Sequence, residues 1–245
     1  MSRYLRIILT ILLSIVGVLL VVGYLRSAGL RPVQAGSPEG VNAPTKVGMD
    51  IGGKNAYETV GRIDQNGGSF IGYGYLNHVS SLADNIAFSD PINHSETTAY
   101  FTYFVTSTLT SHSVITSVFI IDSVGYLRIF YNPTHTASFT NPASFAAGTL
   151  IAKSKVRGQD ILNVQSPNKG VATGFTEDEQ ILATPFTINT QDYQFGEVGL
   201  LERGFYTGEG TRTDSVTPKS FVIGSGNTVV TGLPGQAIFM PVINH

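Results

Sequence analysis

Two kinds of hydrophobic pattern divide this chain. The first is a continuous apolar run that opens at Ile7 and closes at Leu25, nineteen residues without a charge. Wound as a helix at ~1.5 Å per residue it is about 28 Å long, close to the hydrocarbon thickness of a bilayer. Arg3 and Arg6 precede it, and Tyr4 and Tyr24 stand where interfacial aromatics settle. The second pattern is an alternation of period two that recurs downstream. Ala99, Phe101, Tyr103, Val105 and Leu109 share one face of 97–109, with Thr98, Thr102, Thr106 and Thr108 on the other. That alternation predicts a half-buried strand.

The same reasoning predicts strands over 57–64 and 69–77, joined by Gln65-Asn66-Gly67-Gly68, where Asn-Gly supplies the positive φ of a tight hairpin. Strands are also expected over 114–121 and 126–132, with Asp122-Ser123-Val124-Gly125 as the turn between them. A long strand over 150–164 precedes a Ser166-Pro167-Asn168-Lys169-Gly170 turn and a return at 171–175. Further strands fall around 184–189, 193–195, 200–207, 221–223, 228–231 and 237–243, with Gly224-Ser225-Gly226-Asn227 read as a turn. Residues 82–96 look loop-like, and 141–147 offers at most one short helical turn. So many strands on short turns predict a mainly β chain, an antiparallel β-barrel of calycin-like form or a β-sandwich, preceded by one N-terminal transmembrane helix.

The domain plan follows from changes in composition. Residues 1–30 form a signal-anchor. Residues 31–55, rich in Pro and Gly, form a tether, and 56–245 a β domain outside the cytoplasm. A secreted alternative has cleavage after Ala35, since Val33-Gln34-Ala35 is a passable small-residue site. Residues 1–55 carry a net charge of +4 and residues 56–245 a net −6, summing to the formal −2. An acidic body is a poor partner for nucleic acid. The expected partners are the lipid bilayer through Ile7 to Leu25, and membrane proteins or further copies of the chain.

Zero cysteines exclude disulfides, thiol catalysis and thiolate metal sites. His78, His94, His112, His135 and His245 are scattered, without metal-ligand spacing. No Gly-x-Ser-x-Gly elbow and no phosphate-cradling glycine pattern occurs, so no catalytic residue, metal or cofactor is assigned. Glu177-Asp178-Glu179 reads as a solvated turn, lacking the spaced ligands of a calcium loop. Gly208-Glu209-Gly210-Thr211-Arg212 reads as a bulge or a binding loop. The candidate ligand-binding residues are the strand aromatics Tyr73, Tyr75, Tyr100, Phe104 and Tyr131, together with Arg128. Arg128 orients a polar ligand if it faces into a barrel, and is a solvated strand residue if it faces out.

The stretches Tyr73-Gly74-Tyr75-Leu76-Asn77-His78-Val79, Ala143-Ser144-Phe145-Ala146-Ala147-Gly148-Thr149 and Leu162-Asn163-Val164-Gln165-Ser166-Pro167-Asn168 resemble a group of exported bacterial β proteins to which no activity attaches. Gly208-Glu209-Gly210-Thr211-Arg212-Thr213-Asp214 belongs to the same resemblance. In layout alone, with Gly61-Arg62 in its opening strand, the chain also resembles the allene oxide cyclase and dirigent barrels, and no catalytic residue of theirs can be placed here. The functional expectation is a membrane-tethered structural or protein-interaction subunit. The alternatives are a barrel that binds a small apolar ligand and a barrel-type cyclase or isomerase.

Overall fold

The computed structural model describes residues 43–214 and 219–235. The expected anchor at 7–25, the cleavage site at Ala35 and the strand expected at 237–243 lie outside the described residues. Among the described residues no helix is long and apolar enough to cross a membrane.

Among the described residues eleven strands and two short helices follow one another: β1 (Thr45–Val47), β2 (Asn55–Asn66), β3 (Ser69–Val79), α1 (Asp84–Ala87), β4 (Phe101–Ile115), β5 (Val118–Tyr131), a 3-10 turn (Pro142–Ala146), β6 (Thr149–Ser166), β7 (Lys169–Ala183), β8 (Phe186–Ile188), β9 (Gln191–Phe195), β10 (Leu201–Asp214) and β11 (Lys219–Gly232). Of the two architectures expected, the chain adopts the barrel. Eight antiparallel strands close in the order β10-β11-β2-β3-β4-β5-β6-β7, and β1, β9 and β8 form a separate small sheet. Closure leaves the eight strands without a free edge. The short turns β2–β3, β4–β5 and β6–β7 share one end of the barrel with the facing ends of β10 and β11, because successive strands alternate in direction.

The longer connections lie at the opposite end, and there the small sheet forms a plug. Tyr193, Phe195 and Phe186 of the plug are buried, and the Phe195 ring packs 5.4 Å from that of Tyr57 on β2. Gln180 on β7 donates from Nε2 to the carbonyls of Phe195 (2.8 Å) and Leu182 (3.0 Å), tying plug to wall. β1 comes from the stretch read as a tether. It pairs in parallel with β9, and Val47 is fully buried, so the tether's last residues belong to the domain. Thr45-Lys46-Val47 can do this because a β-branched pair flanks one lysine, whose ammonium reaches Glu197 at the surface.

Several expected turns are strand interior. The β4–β5 turn is Thr116-Ser117, with Thr116 at φ 57°, and Asp122 to Gly125 lies within β5. Neither turn residue is Gly or Asn, the signal on which the expectation relied. Gly224 to Asn227 likewise lies within β11, and Gly208 to Arg212 within β10, whose pairing with β11 shifts register between Leu201 and Glu202 and between Arg212 and Asp214 but not from Gly208 to Arg212. These glycines mark close approach. A Cβ on Gly224 would overlap the Thr207 carbonyl of the neighbouring strand. Glu177-Asp178-Glu179 is also strand, in the middle of β7, and 84–87 of the expected loop forms α1.

Candidate functional site

Alternation along the strands gives each wall position an inside or an outside. On β7 and β10 the even positions face in: Gly174, Thr176, Asp178 and Gln180, then Glu202, Gly204, Tyr206 and Gly208. On β11 they are Val222, Gly224, Gly226 and Thr228, and on β2 the odd positions Tyr57, Thr59, Gly61 and Ile63. Glycines recur on these inner faces, where the Tyr103 and Tyr206 rings and neighbouring backbone lie close over several of them. A cavity of about 150 Å³ remains, lined among others by Tyr57, Leu76, Tyr103, Val156, Asp160, Asp178 and Thr228.

Among the described residues three carboxyls point inward: Asp160 and Asp178 line the cavity and Glu202 lies across the ladder from Asp178, and no lysine or arginine lining the cavity points inward with them. Arg62, at the cavity wall, sits at an outward position; its Nε donates to Asp64 (2.6 Å) and its guanidinium lies 4.1 Å from the Phe221 ring centre. Asp178 and Glu202 are ladder neighbours across β7 and β10, 5% and 4% exposed. Asp178 Oδ2 accepts a hydrogen bond from Thr176 (3.0 Å), but its Oδ1 has no partner, and neither has Glu202 Oε1 or the Tyr57 hydroxyl. Burial without a counter-charge favours the neutral acid. It lifts Asp178 from 3.8 to about 7. Burial, with the charge of Asp178 added, lifts Glu202 from 4.5 to about 8. The Tyr57 hydroxyl is driven upward by burial and then by the charges of Glu202 and Asp178, against a smaller lowering effect of the neighbouring Thr228 hydroxyl, which falls short of a full hydrogen bond to it.

Further along, the Tyr206 hydroxyl donates to Asp160 Oδ1. Burial raises Asp160 to about 6 against the lowering effect of that bond. Burial also raises Tyr103 and Tyr206. The arrangement can accept hydrogen bonds, balance a positive charge, and exchange protons near neutrality. Among the described residues no group of three or more His, Asp or Glu side chains is placed to hold a metal ion.

The six residues expected to bind a ligand lie elsewhere, and none of them lines this cavity. Tyr73 and Tyr75 occupy outward positions of β3. Tyr73 is covered by Phe139 and Phe145 and donates to Asp64 (2.8 Å). Tyr75 packs edge-on against Phe88. Phe104 lies on the outer face beside the same Phe139 and Phe145 cluster. Tyr100 and Tyr131 pack together with ring centres 6.3 Å apart, and Tyr131 also meets Phe101 and Phe186. Arg128 faces outward, donating to Thr106 Oγ1 (3.2 Å) near the Tyr126 ring.

Sequence reasoning missed Tyr57, Asp160, Asp178, Glu202 and Tyr206. A signal for them exists. Gly174, Thr176, Asp178 and Gln180 share one strand face, as do Glu202, Gly204, Tyr206, Gly208 and Gly210. Glycines and polar residues at every second position are the pattern of a narrow wall facing a partly polar interior.

No protein-family model matches this chain, nor does any curated protein or solved structure.

Proposed function

We propose that this chain is a small-molecule-binding β-barrel, held outside the cytoplasm by an N-terminal anchor at 7–25. The observation that carries the binding reading is the glycine-lined cavity of about 150 Å³ into which buried polar atoms project without partners. Orphaned buried groups are costly, and a bound molecule that pairs with them recovers that cost. The volume is below the usual range for drug-sized ligands, so the occupant is small. The cavity wall is mostly apolar, with Leu76, Val105, Leu127 and Val156 beside a few buried polar groups, so a molecule with a polar head on a short apolar body suits it better than a wholly apolar one.

Gly158 provides the test. A Cβ there would meet only Ser123 Oγ at 3.1 Å and the Phe175 carbonyl at 4.0 Å, so a larger side chain can grow into the cavity. The full chain in mild detergent is titrated with ethylammonium, ethanol, acetamide and acetate by ligand-observed NMR. Saturable binding of at least one, lost in Gly158→Leu, is the expected result. Binding of none, or binding unchanged in the folded variant, refutes the reading.

A protein-interaction role is favoured by a separate feature. Phe175 and Phe205 are 48% and 40% exposed on the outer wall with ring centres 5.4 Å apart. Beside them Glu177 bridges Arg157 and Arg203. An exposed aromatic pair flanked by charge is a contact suited to a partner. Phe175→Ser would then detach a partner co-purified with the full chain and leave small-molecule binding intact.

A further inference from the structure

We propose that Asp178, Glu202 and the Tyr57 hydroxyl form a binding site for the ammonium head of a small organic amine. This rests on reading the cavity as a small-molecule site, and it specifies the chemistry of the ligand.

Three observations converge on it. Of the buried polar atoms without a hydrogen-bond partner among the described residues, three belong to this group: Asp178 Oδ1, Glu202 Oε1 and the Tyr57 hydroxyl; the other two, on Ser80 and His135, lie outside it. Ionised carboxyl oxygens only accept hydrogen bonds, a tyrosine hydroxyl can accept, and an ammonium offers three donors. The charges are also unbalanced. Arg157 and Arg203 reach Glu177, and Lys155 reaches Glu179, all on the outer face of the wall. Among the described residues no cation is seen to neutralise the inner pair, and a ligand that brings its own positive charge would. Finally, Tyr57 and Asp178 line the cavity together with the apolar Leu76 and Val156, so a short hydrocarbon chain has apolar wall beside the polar head. Only two carboxyls converge, which suits a directional ammonium better than a chelated metal ion.

The proposal couples binding to protons. Alone, the pair keeps its protons below pH 7 and gives them up over about pH 7 to 8, with Asp178 at about 7 and Glu202 at about 8. An ammonium favours the ionised forms, so binding expels protons from the site. Affinity then rises with pH, about tenfold per pH unit for each proton released, and levels off near pH 8. It falls again when the amine loses its own proton, near pH ~10. The other titratable groups on the inner wall are Asp160, Tyr206 and Tyr103. The first two are bonded to each other.

The experiment is calorimetry of the full chain in mild detergent with ethylammonium chloride, and with ethanol and sodium acetate as neutral and anionic counterparts. Titrations at pH 6, 7 and 8 in buffers of different ionisation enthalpy count the protons released. The expected result is binding of ethylammonium alone, strengthening at least tenfold from pH 6 to pH 8, with net proton release. Asp178→Asn and Glu202→Gln should each weaken it tenfold or more. Glu209→Gln, altering a 70% exposed outer carboxylate beside Lys169, should leave it unchanged. If ethanol binds as well as ethylammonium, or acetate binds better, the amine assignment falls while the cavity remains a binding site. If none of the three binds and the wider set of small molecules also fails, both readings fall. Ethylammonium binding that ignores pH, or that survives both carboxyl variants, also overturns the proposal. Should one variant not fold, the other and the pH series of the unaltered chain still decide.

Discussion

Replacing Asp178 by asparagine should stabilise this protein, and only where the carboxyl would be ionised. The change keeps the side chain's shape and removes its titratable proton. In the folded chain burial lifts the Asp178 carboxyl from 3.8 to about 7. Between those values the folded chain holds a proton that the unfolded chain has released. The stability linked to this group is therefore fully present below pH ~4, declines as pH rises, and is flat above pH ~7. The gap from 3.8 to about 7 corresponds to about 4 kcal/mol at ~1.4 kcal/mol per pH unit. That is an upper figure, because water entering the cavity solvates part of the charge. Releasing Glu202 from the Asp178 charge acts in the same direction. For a domain of this size each kcal/mol moves the melting midpoint by about 2–4 °C, so Asp178→Asn should melt up to about 8–16 °C higher at pH 8. Near pH 4 the two proteins should melt within a few degrees of each other. With 11 tyrosines and no tryptophan, near-ultraviolet circular dichroism of the full chain in mild detergent follows the transition. A gain of equal size at both pH values, or none at pH 8, would falsify the account of Asp178 as a buried acid without a counter-charge.

Other positions test other parts of the structure. Tyr206→Phe removes the hydrogen bond that holds Asp160 down, so its carboxyl, now at about 6, should titrate higher; carbon NMR of labelled aspartate reads the change. A Cβ at Gly125 would run into the Thr106 carbonyl and Ser107, so Gly125→Val should cost about 1–3 kcal/mol or more, seen as a lower melting midpoint. Phe195→Ala removes the plug ring against Tyr57 and should cost about 3–5 kcal/mol, with hydrogen exchange rising first in β8 and β9. A plug that exchanges no faster in that variant would mean the ring does not anchor it.

The sequence by itself determined the class of structure. Period-two alternation predicted strands, and the turns at Gly67-Gly68 and Pro167-Asn168 were legible because their residues supply the required backbone angles. The choice between barrel and sandwich needed the tertiary structure, because both bury one face of every strand. The site stayed hidden for the same reason. Glycines at 125, 208, 224 and 226 read as punctuation until closure showed each strand continuing through them. An acidic triplet read as solvated surface until the register of β7 turned Glu177 and Glu179 outward and Asp178 inward. The aromatics from Tyr73 to Tyr131 looked like an interior. They pack instead on the outer wall or at its plugged end, where Phe139, Phe145 and Phe186 meet them. Alternation assigns residues to two faces. Only closure of the sheet decides which face encloses the cavity, and only burial there gives a carboxyl a pKa near neutrality.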